Sequence, residues 1–581
     1  MRITRRGWLG GAALIAGASG TAGTNAATPS PSPHAAAATL PAGPVRVLSR
    51  GDGHDYGPAL DALRDYARAE LAAIGLPGMT LSVTDASGFA AVLTLGWADR
   101  ERAIPVKPAH AFQIGSISKS FVALTVLALA DQGLINVDAP LSTYLPDAAL
   151  PSEPITAAHL LSHTSGLPDG APPFPRTPDG RLWCGFAPGS HFSYSNTGYV
   201  LLGLLIERVT GEPHQAVVKR LVRDKLRLGD LAGTLSQTDR GRFAVGYWPW
   251  DRTSAAVLPR TRLEPAAWNE EDTAAGSIGA TSGQMTLYLR ALMQIAQGKG
   301  APVLSDAAAR RFVAPVIATD EFGPGAHYAC GVSVVPIDGA ACLHHTGGMM
   351  AFSSAFHADP AAGVACFASV NARNEGYRPR VTTAYAVRLM RAVRAGKPLP
   401  EAPDPLAPYR FKDPAPFLGT FVGPGGHRYV LASAATGVTL TSGGQTHRVI
   451  PQGPRRLVTD HPMFSAYGLD AMMEGGKATG FWWGETLFGR DSAPAQPAPS
   501  AALQALAGAY LNRDPWVGGG AVVVRGDALV VEGLGRIVDR GGWWSAEPDV
   551  GGVERLRFEA LLNGKAQRLS LSGADLLRLQ V

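Results

Sequence analysis

Three short motifs in this chain contain residue types that together could perform acyl transfer. In chain order they are Ser-Ile-Ser-Lys at 116–119, Tyr-Ser-Asn at 194–196 and His-Thr-Gly-Gly at 345–348. A serine hydroxyl is a weak nucleophile until a neighbouring group takes its proton, and lysine or tyrosine can be that group. No motif is specific alone, but the ordered set predicts an active-site serine, a proton-transfer pair and a strand that stabilises developing charge.

Ser116 and Lys119 are spaced so that a helix would put both side chains on one face. The residues that follow, 121–129, are almost wholly apolar, which predicts a buried helix ending near Gly133. Free N–H groups and the dipole at the start of that helix would favour negative charge at Ser116. Burial one turn further on would favour the neutral amine of Lys119, the form that accepts a proton. An isolated Ser-x-x-Lys is more often only a helix start, and the later motifs favour the catalytic interpretation.

Tyr194 and Asn196 precede an apolar segment, 199–209, that is typical of a helix. In an extended loop, alternate residues face the same side, so both side chains could reach Lys119. A phenol there could relay a proton, and an amide could hold the lysine and a substrate carbonyl together. The alternative is a loop tyrosine followed by a helix-capping asparagine.

The third motif falls in a strand-like stretch, 343–348. Its two glycines would let a substrate backbone approach closely. The N–H of Gly348 could complete an oxyanion hole with that of Ser116. The alternative is a hairpin that carries a surface histidine at position 345.

This ordered set resembles the serine β-lactamase and penicillin-recognising family, in the branch of class C β-lactamases, DD-carboxypeptidases, D-aminopeptidases and related esterases. The resemblance covers roughly residues 55–395 and includes the stretches 112–115, 159–167 and 275–278. It implies an α+β fold with helices flanking an antiparallel sheet. It also implies that Ser116 is acylated and that Lys119 and Tyr194 handle the proton. The implied substrate-binding residues are Asn196, His345, Thr346, Gly347 and Gly348. Asn196 has a positioning role, and the amide of Gly348 helps to hold the oxyanion.

One residue departs from the pattern of many relatives, which have lysine where this chain has His345. A lysine there is a permanent cation that attracts a substrate carboxylate, whereas histidine is mostly neutral at pH 7. The combination is similar to exocellular DD-carboxypeptidases and D-aminopeptidases more than to dedicated β-lactamases. We therefore expect peptides or amides with D-residues as substrates, cell-wall fragments among them. A small-ester hydrolase, a β-lactamase, and a penicillin or peptidoglycan sensor that does not turn over are the alternatives.

The first 27 residues have the pattern of a Tat-type export signal. Arg5 and Arg6 precede a weakly apolar run at 8–18 and small residues up to Ala27. This predicts export to the periplasm or the medium, with a plain secretory signal as the alternative. The run is too short for an ordinary membrane span, and no later segment is long enough. Residues 28–54 are expected to be a flexible segment before a hydrolase domain at 55–395.

The C-terminal third is predicted to contain two small antiparallel β-barrels, at 417–491 and 501–581. Pro- and Ala-rich stretches at 396–416 and 492–500 are typical of linkers. The sequence Phe-Leu-Gly-Thr-Phe at 417–421 is echoed by Leu-Ala-Gly-Ala-Tyr at 506–510, which indicates a repeated unit. A catalytic domain followed by two barrels resembles the three-domain D-aminopeptidases, and whether a barrel loop reaches the active site stays open.

Composition and missing motifs exclude several other functions. The formal net charge of +5 over 581 residues, with three arginines in the predicted signal, gives no support for nucleic-acid binding. The sequence lacks G-x-S-x-G, H-E-x-x-H and a phosphate-binding loop. His159 and His163 have metal-ligand spacing, but a helix-end pair is the favoured interpretation. We therefore expect no metal or organic cofactor and a small-molecule or peptide substrate as the partner.

The four cysteines are Cys184, Cys330, Cys342 and Cys366. An exported protein could form disulfides, but spacing assigns no pair, and buried free thiols are slightly favoured. The oligomeric state is left open by the sequence.

Overall fold

The computed structural model describes residues 40–249, 259–373, 377, 379–435, 437–512, 518–547 and 552–579. The predicted signal, 1–27, lies outside the described residues. The predicted flexible segment, 28–54, does not hold as a whole, because its residues Arg46–Ser49 form a strand of the main sheet. Residue Arg46 pairs with Val92 in that sheet, so the folded domain begins earlier than the sequence indicates.

The first domain is built on an antiparallel sheet, as the sequence predicts. Short strands Phe112–Gln113 and Gly279–Ala280 pair separately, as do Tyr247–Pro249 and Leu263–Pro265. The strands of the main sheet are, in spatial order, Arg46–Ser49, Ala90–Asp99, Gly78–Asp85, Val364–Val370, Phe352–Asp359, Ala340–Met349, Ser333–Ile337, His327–Tyr328 and Ile317–Ala318, with Ile104–Pro105 paired to Ala90–Asp99. The third motif therefore lies inside the sheet, on Ala340–Met349, with neighbours on both sides.

Helices cover both faces of this sheet, because its central strands are apolar on both sides. Phe367 and Ala365 pack into a core with the serine-bearing helix, whereas Cys366 and Ala368, alternating with them, pack against the opposite helices. The helices of the first domain are Gly57–Ile74, Ser118–Asp131, Ala157–Leu161, Asn196–Thr210, His214–Val218, Ser282–Ala296, Asp306–Val313 and Arg380–Arg394. None of the helices in the described ranges is both long and apolar enough to cross a bilayer.

Two closed barrels of eight antiparallel strands follow, as the sequence predicts. The first barrel has strands Gly419–Val422, Arg428–Ala434, Gly437–Ser442, Gln445–Pro451, Arg456–Thr459, Leu469–Glu474, Lys477–Trp483 and Thr486–Arg490. The short helix Ala501–Gln504 leads into the second barrel, whose strands are Gly508–Leu511, Gly519–Arg525, Ala528–Val531, Gly535–Asp539, Trp544–Ala546, Leu556–Leu562, Lys565–Leu571 and Ala574–Arg578.

The echo between the two barrel sequences has a packing cause. A glycine opens the first strand of each barrel, and an arginine from the last strand lies against it: a Cβ on Gly419 would be 2.2 Å from Arg490 Nη1. The corresponding distance from Gly508 to Arg578 Nη1 is 2.4 Å. Each guanidinium also lies over the aromatic ring two residues after its glycine, as in Arg490 over Phe421 at 4.9 Å. The repeated motif is therefore a glycine–arginine–aromatic closure of the barrel.

Both predicted linkers pack against neighbouring domains. In the stretch 396–416, Leu399 and Tyr409 contact the core of the first domain. In the stretch 492–500, the Gln496 amide donates from Nε2 to the carbonyl of Leu487 (2.8 Å) and accepts the N–H of Leu487 at Oε1 (2.9 Å). Composition identified these stretches as irregular, but it did not reveal that they are docked.

Four charged side chains join the two barrels. Arg456 of the first barrel donates to Asp470 (2.9 Å) and to Glu532 (2.6 Å). Arg525 of the second barrel donates to the same two carboxylates, at 2.9 and 2.8 Å. Each arginine donates to both carboxylates in this largely buried contact. These charge-assisted hydrogen bonds stabilise the contact between the two barrels.

The four cysteines are thiols in this structure. Cys330, Cys342 and Cys366 are buried, and Cys184 is partly buried. Burial raises the pKa of the Cys330 and Cys342 thiols to about 12, which makes them poor nucleophiles at neutral pH.

We expect a buried histidine to make the fold sensitive to acid. His357 lies beside the third-motif strand, with its ring stacked on that of His344 at 4.1 Å. Burial lowers the pKa of His357 well below 6.5, so below that pH the unfolded chain takes up a proton that the folded chain does not. The free energy of unfolding should fall by about 1.4 kcal/mol for each pH unit between 6.5 and the folded-state pKa.

Urea unfolding at about pH 7.5, 6.5 and 5.5 measures this effect in the parent and in His357→Gln. Burial raises the pKa of the Glu70 carboxyl, so protonation of this group stabilises the folded state as the pH falls below neutral. Because both proteins contain Glu70, the difference between them isolates the contribution of His357. The parent should lose more stability on acidification than the variant. Equal losses would contradict the assignment.

Candidate active site

Ser116 lies at the entrance of a buried helix. A short 3-10 turn, Gly115–Ile117, leads directly into the helix Ser118–Asp131, whose residues are nearly all buried. Gly115 has φ +54°, a conformation that glycine adopts without strain. The serine is partly exposed, whereas Lys119 is fully buried. The turn therefore presents the hydroxyl to the solvent side and the amine to the interior.

Lys119 connects the first two motifs. Its Nζ lies 3.3 Å from Ser116 Oγ, within hydrogen-bond distance. The same nitrogen donates to Asn196 Oδ1 and to the carbonyl of Ala275, both at 2.6 Å. The Tyr194 ring lies with its centroid 5.0 Å from Nζ. Serine, lysine, tyrosine and asparagine are thus brought together around one amine.

The second motif is extended at Ser195, as expected, and the helix begins at the next residue. Ser195, not Asn196, is the N-cap of the helix Asn196–Thr210, and its Oγ accepts the N–H of Gly198 at 3.0 Å. Asn196 is the first residue of that helix. Because Ser195 caps the helix, the Asn196 side chain is available to contact Lys119.

The third motif passes directly beside the serine turn. A Cβ on Gly115 would be 2.7 Å from the backbone nitrogen of Gly348. A Cβ on Gly347 would be 1.8 Å from the carbonyl oxygen of Ile114. Gly347 is thus needed for the protein's own strand to approach the serine turn. Thr346, between these glycines and His345, is buried and pairs with Ala355.

We expect Gly347→Ala to destabilise the protein and the site together. The added methyl would overlap the Ile114 carbonyl oxygen at 1.8 Å and the Ser354 hydroxyl at 2.5 Å. A loss of at least about 3 kcal/mol is expected from such overpacking. The matched control is Gly276→Ala, whose methyl would meet only ordinary contacts at 3.7 Å or beyond. Thermal unfolding of both variants tests this, and equal midpoints would contradict it.

His345 is enclosed by its own protein. None of its surface is exposed, its Nδ1 donates to the carbonyl of Thr346 at 2.7 Å, and its Nε2 lies 2.9 Å from Tyr328 Oη. A carbonyl can only accept, so Nδ1 carries a proton, and both ring nitrogens are engaged inside the protein. The alternative interpretation, a surface histidine, is therefore wrong. The ring links the third-motif strand to Tyr328 inside the protein.

Three groups contact the site in roles that the sequence did not assign, although His163 and Ala275 lie in the stretches 159–167 and 275–278 of the resemblance. Asp169 Oδ1 accepts both the backbone N–H and the side-chain amide of Asn196, each at 2.9 Å. His163, which has φ +57°, lies against the Tyr194 ring, with the ring centroids 4.1 Å apart and the planes tilted by 32°. The Ala275 carbonyl is a backbone acceptor that no side chain identifies. The left-handed conformation required at His163 is invisible in a sequence, and Asp169 belongs to no spaced motif.

The histidine pair at 159 and 163 has structural contacts. His159 forms a reciprocal capping box with Thr156, and His163 Nδ1 accepts the N–H of Ser195 at 3.0 Å. Across the described ranges, no cluster of three or more His, Cys, Asp or Glu side chains could hold a metal ion.

The family model that matches this chain covers the region that contains the site. The family model described as Beta-lactamase matches residues 63–390. Esterase EstB of Burkholderia gladioli is 35% identical over 180 residues, which are 26% of this chain and 45% of that protein. Penicillin-binding protein 4* of Bacillus subtilis strain 168 is 32% identical over 142 residues, 22% of this chain and 31% of that protein. The matched stretch is less than half of either relative.

Among solved structures, the octameric penicillin-binding protein homologue from Pyrococcus abyssi aligns over 74% of this chain and 99% of its own chain. The TM-score is 0.53 at 22% sequence identity. At that identity the likeness concerns the fold.

Proposed function

This chain belongs to the beta-lactamase family, and we propose that it is a serine hydrolase that cleaves esters and amides without a carboxylate in the acyl group, amides of D-residues among them. The observation that carries this proposal is the enclosed ring of His345 at the position where many relatives have a cation. Because both ring nitrogens are hydrogen-bonded inside the protein, neither is available to bind a substrate carboxylate.

The geometry around Lys119 supports an acyl-enzyme mechanism. In its neutral form Lys119 takes the proton from Ser116 Oγ, 3.3 Å away, as that oxygen attacks the substrate carbonyl. The amides of Ser116 and Gly348 stabilise the oxyanion, and the proton passes to the leaving group with the help of Tyr194. Water then attacks the acyl-enzyme by the reverse path and releases the acid. Asn196 holds Nζ in line throughout, through its hydrogen bond of 2.6 Å.

The similarity to an esterase supports the ester part of the proposal. The relative of 35% identity is described as an esterase, although this chain matches less than half of it. The D-residue amides rest on the resemblance of the motifs to D-aminopeptidases. Export, which would bring the enzyme to cell-wall fragments, is also part of the proposal and rests on Arg5, Arg6 and the weakly apolar run that follows.

A pair of matched substrates tests the preference for uncharged acyl groups. p-Nitrophenyl butyrate and mono-p-nitrophenyl succinate have the same chain length and differ in a terminal carboxylate. We expect kcat/KM for the butyrate to be about 10-fold higher or more, because a carboxylate in the site would lose water without gaining a cation. D-alanine p-nitroanilide should be hydrolysed faster than its L-enantiomer.

The same assay separates the alternatives. Faster hydrolysis of the succinate, or efficient turnover of a chromogenic cephalosporin, would refute the proposal in favour of a carboxypeptidase or β-lactamase. Stable labelling by a fluorescent penicillin without turnover of any ester or amide would indicate a sensor.

A further inference from the structure

The second barrel contacts the catalytic domain beside the active site. The described residues 552–555 precede the strand Leu556–Leu562 and lie against residues 169–185 of the first domain. Trp183 Nε1 donates to the carbonyl of Val553 at 2.8 Å. A Cβ on Gly185 would be 2.5 Å from Val553 Cγ2, so the two chains are in close contact. Arg555 lies over the Trp183 ring at 4.7 Å.

One of these contacts continues to the catalytic lysine. Glu554 Oε1 accepts the backbone N–H of Asp169 at 2.8 Å. The carboxylate of Asp169 accepts the side-chain amide of Asn196, and Asn196 Oδ1 accepts from Lys119 Nζ. An unbroken series of hydrogen bonds thus runs from the second barrel to the amine beside Ser116.

The direction of each hydrogen bond in this series is fixed. A carboxylate can only accept, so the nitrogen of the Asn196 amide must face Asp169 and its oxygen must face Lys119. Asp169 can impose this only if its own backbone is held in place. The Asp169 N–H, which donates to Glu554, is one of the groups that holds it.

Glu554 is itself held within the second barrel. The hydroxyl of Ser572 donates to Glu554 Oε2 at 2.5 Å and accepts the N–H of Arg555 at 3.2 Å. Ser572 is buried and has φ +48°, which is uncommon for a residue with a side chain. The barrel therefore presents the carboxylate of Glu554 in one orientation.

We propose that Glu554 is a positioning residue for acylation, acting on Lys119 through Asp169 and Asn196. The proposal rests on Lys119 as the proton-transfer group of the proposed function. It gives the second barrel a part in acylation: without the Glu554 contact, Asp169 loses one of the hydrogen bonds that hold its backbone, and the Asn196 amide and Lys119 are held less firmly in line with Ser116.

The test is the rate of Ser116 acylation in full-length variants. A fluorophosphonate probe forms a Ser116 Oγ–phosphorus bond with loss of fluoride, and the serine proton leaves through the same base, so this readout does not depend on the natural substrate. We expect Glu554→Ala to lower the acylation rate and the kcat for p-nitrophenyl butyrate about 10-fold or more, with KM within about 2-fold. Glu554→Gln should recover most of the rate, because its amide oxygen can accept from Asp169 and its nitrogen can donate to Ser572.

Two further variants make the test specific. Arg176→Ala removes the exposed ion pair to Asp575 of the same barrel (3.3 Å) and should leave acylation unchanged. Ser572→Ala keeps the carboxylate but frees its orientation and should give an intermediate, about 3-fold, loss, which also serves if Glu554→Ala does not fold. Acylation in Glu554→Ala or Ser572→Ala equal to that of Arg176→Ala, or a raised KM at unchanged kcat, would overturn the proposal. If Ser116→Ala loses acylation and the Glu554 and Ser572 variants do not, the proposed function stands and this inference fails.

Discussion

Ser116→Ala should abolish hydrolysis of every substrate and every form of covalent labelling. The hydroxyl is the acceptor of the acyl group and lies 3.3 Å from Lys119 Nζ, so its removal takes away the nucleophile and not merely a contact. The expected loss in kcat is at least about 10⁴-fold. Measurement of kcat on p-nitrophenyl butyrate, with fluorophosphonate labelling in parallel, tests it.

The neighbouring serine of the same motif provides the matched control. Ser118 is buried, and its Oγ accepts the N–H of Ile278 at 3.1 Å. Its role is therefore to connect the start of the helix to the segment that contains Ile278. Ser118→Ala should lower stability by about 1 kcal/mol and still become labelled. Ser116→Ala should keep the parent unfolding midpoint, since its side chain is partly exposed. Residual turnover in Ser116→Ala comparable to the parent would contradict the mechanism.

Lys119→Met should have the second largest effect. The apolar side chain fills most of the same volume but can neither accept the serine proton nor return it, and such groups contribute on the order of 10²–10⁴ in rate. The variant also leaves the acceptors Asn196 Oδ1 and Ala275 O without the N–H groups of Lys119, which costs stability in addition. Acylation rates measured by stopped flow, with unfolding midpoints, separate the two effects.

Tyr194→Phe identifies which group is the base. Phenylalanine keeps the ring, whose centroid lies 5.0 Å from Lys119 Nζ and 4.1 Å from that of His163, so packing is preserved. A loss as large as that of Lys119→Met would assign the proton transfer to the pair, and a smaller loss would assign it to the lysine. If both variants acylate at parent rates, neither residue is the base.

The sequence pattern predicted the elements whose formation depends on residues that are close together in the chain. The apolar run after Ser116 could only be a buried helix, and the structure has it at Ser118–Asp131. The echo between 417–421 and 506–510 indicated two barrels because each needs the same glycine for closure. The strand of the third motif was placed within a few residues of its observed bounds, Ala340–Met349.

What the sequence did not reveal depends on contacts between distant residues. Asp169 and Glu554 are 385 positions apart, and no spacing rule connects them. Tyr328 and Phe322, which belong to no motif, are among the residues that enclose His345. The strand Arg46–Ser49 was missed because its burial pattern is wholly exposed and only its pairing with Ala90–Asp99 defines it. These features become visible only once the chain is folded.

The measurement that tests the central claim most directly is the mass of the acylated protein. The enzyme is mixed with p-nitrophenyl butyrate, quenched in acid during the first turnover, and mapped by peptide mass spectrometry. An acyl-enzyme on Ser116 predicts an increase of about 70 Da, the butyryl group, on the peptide that contains Ser116 and on no other peptide. Ester hydrolysis with no adduct under single-turnover conditions, or an adduct on a different residue, would contradict the account.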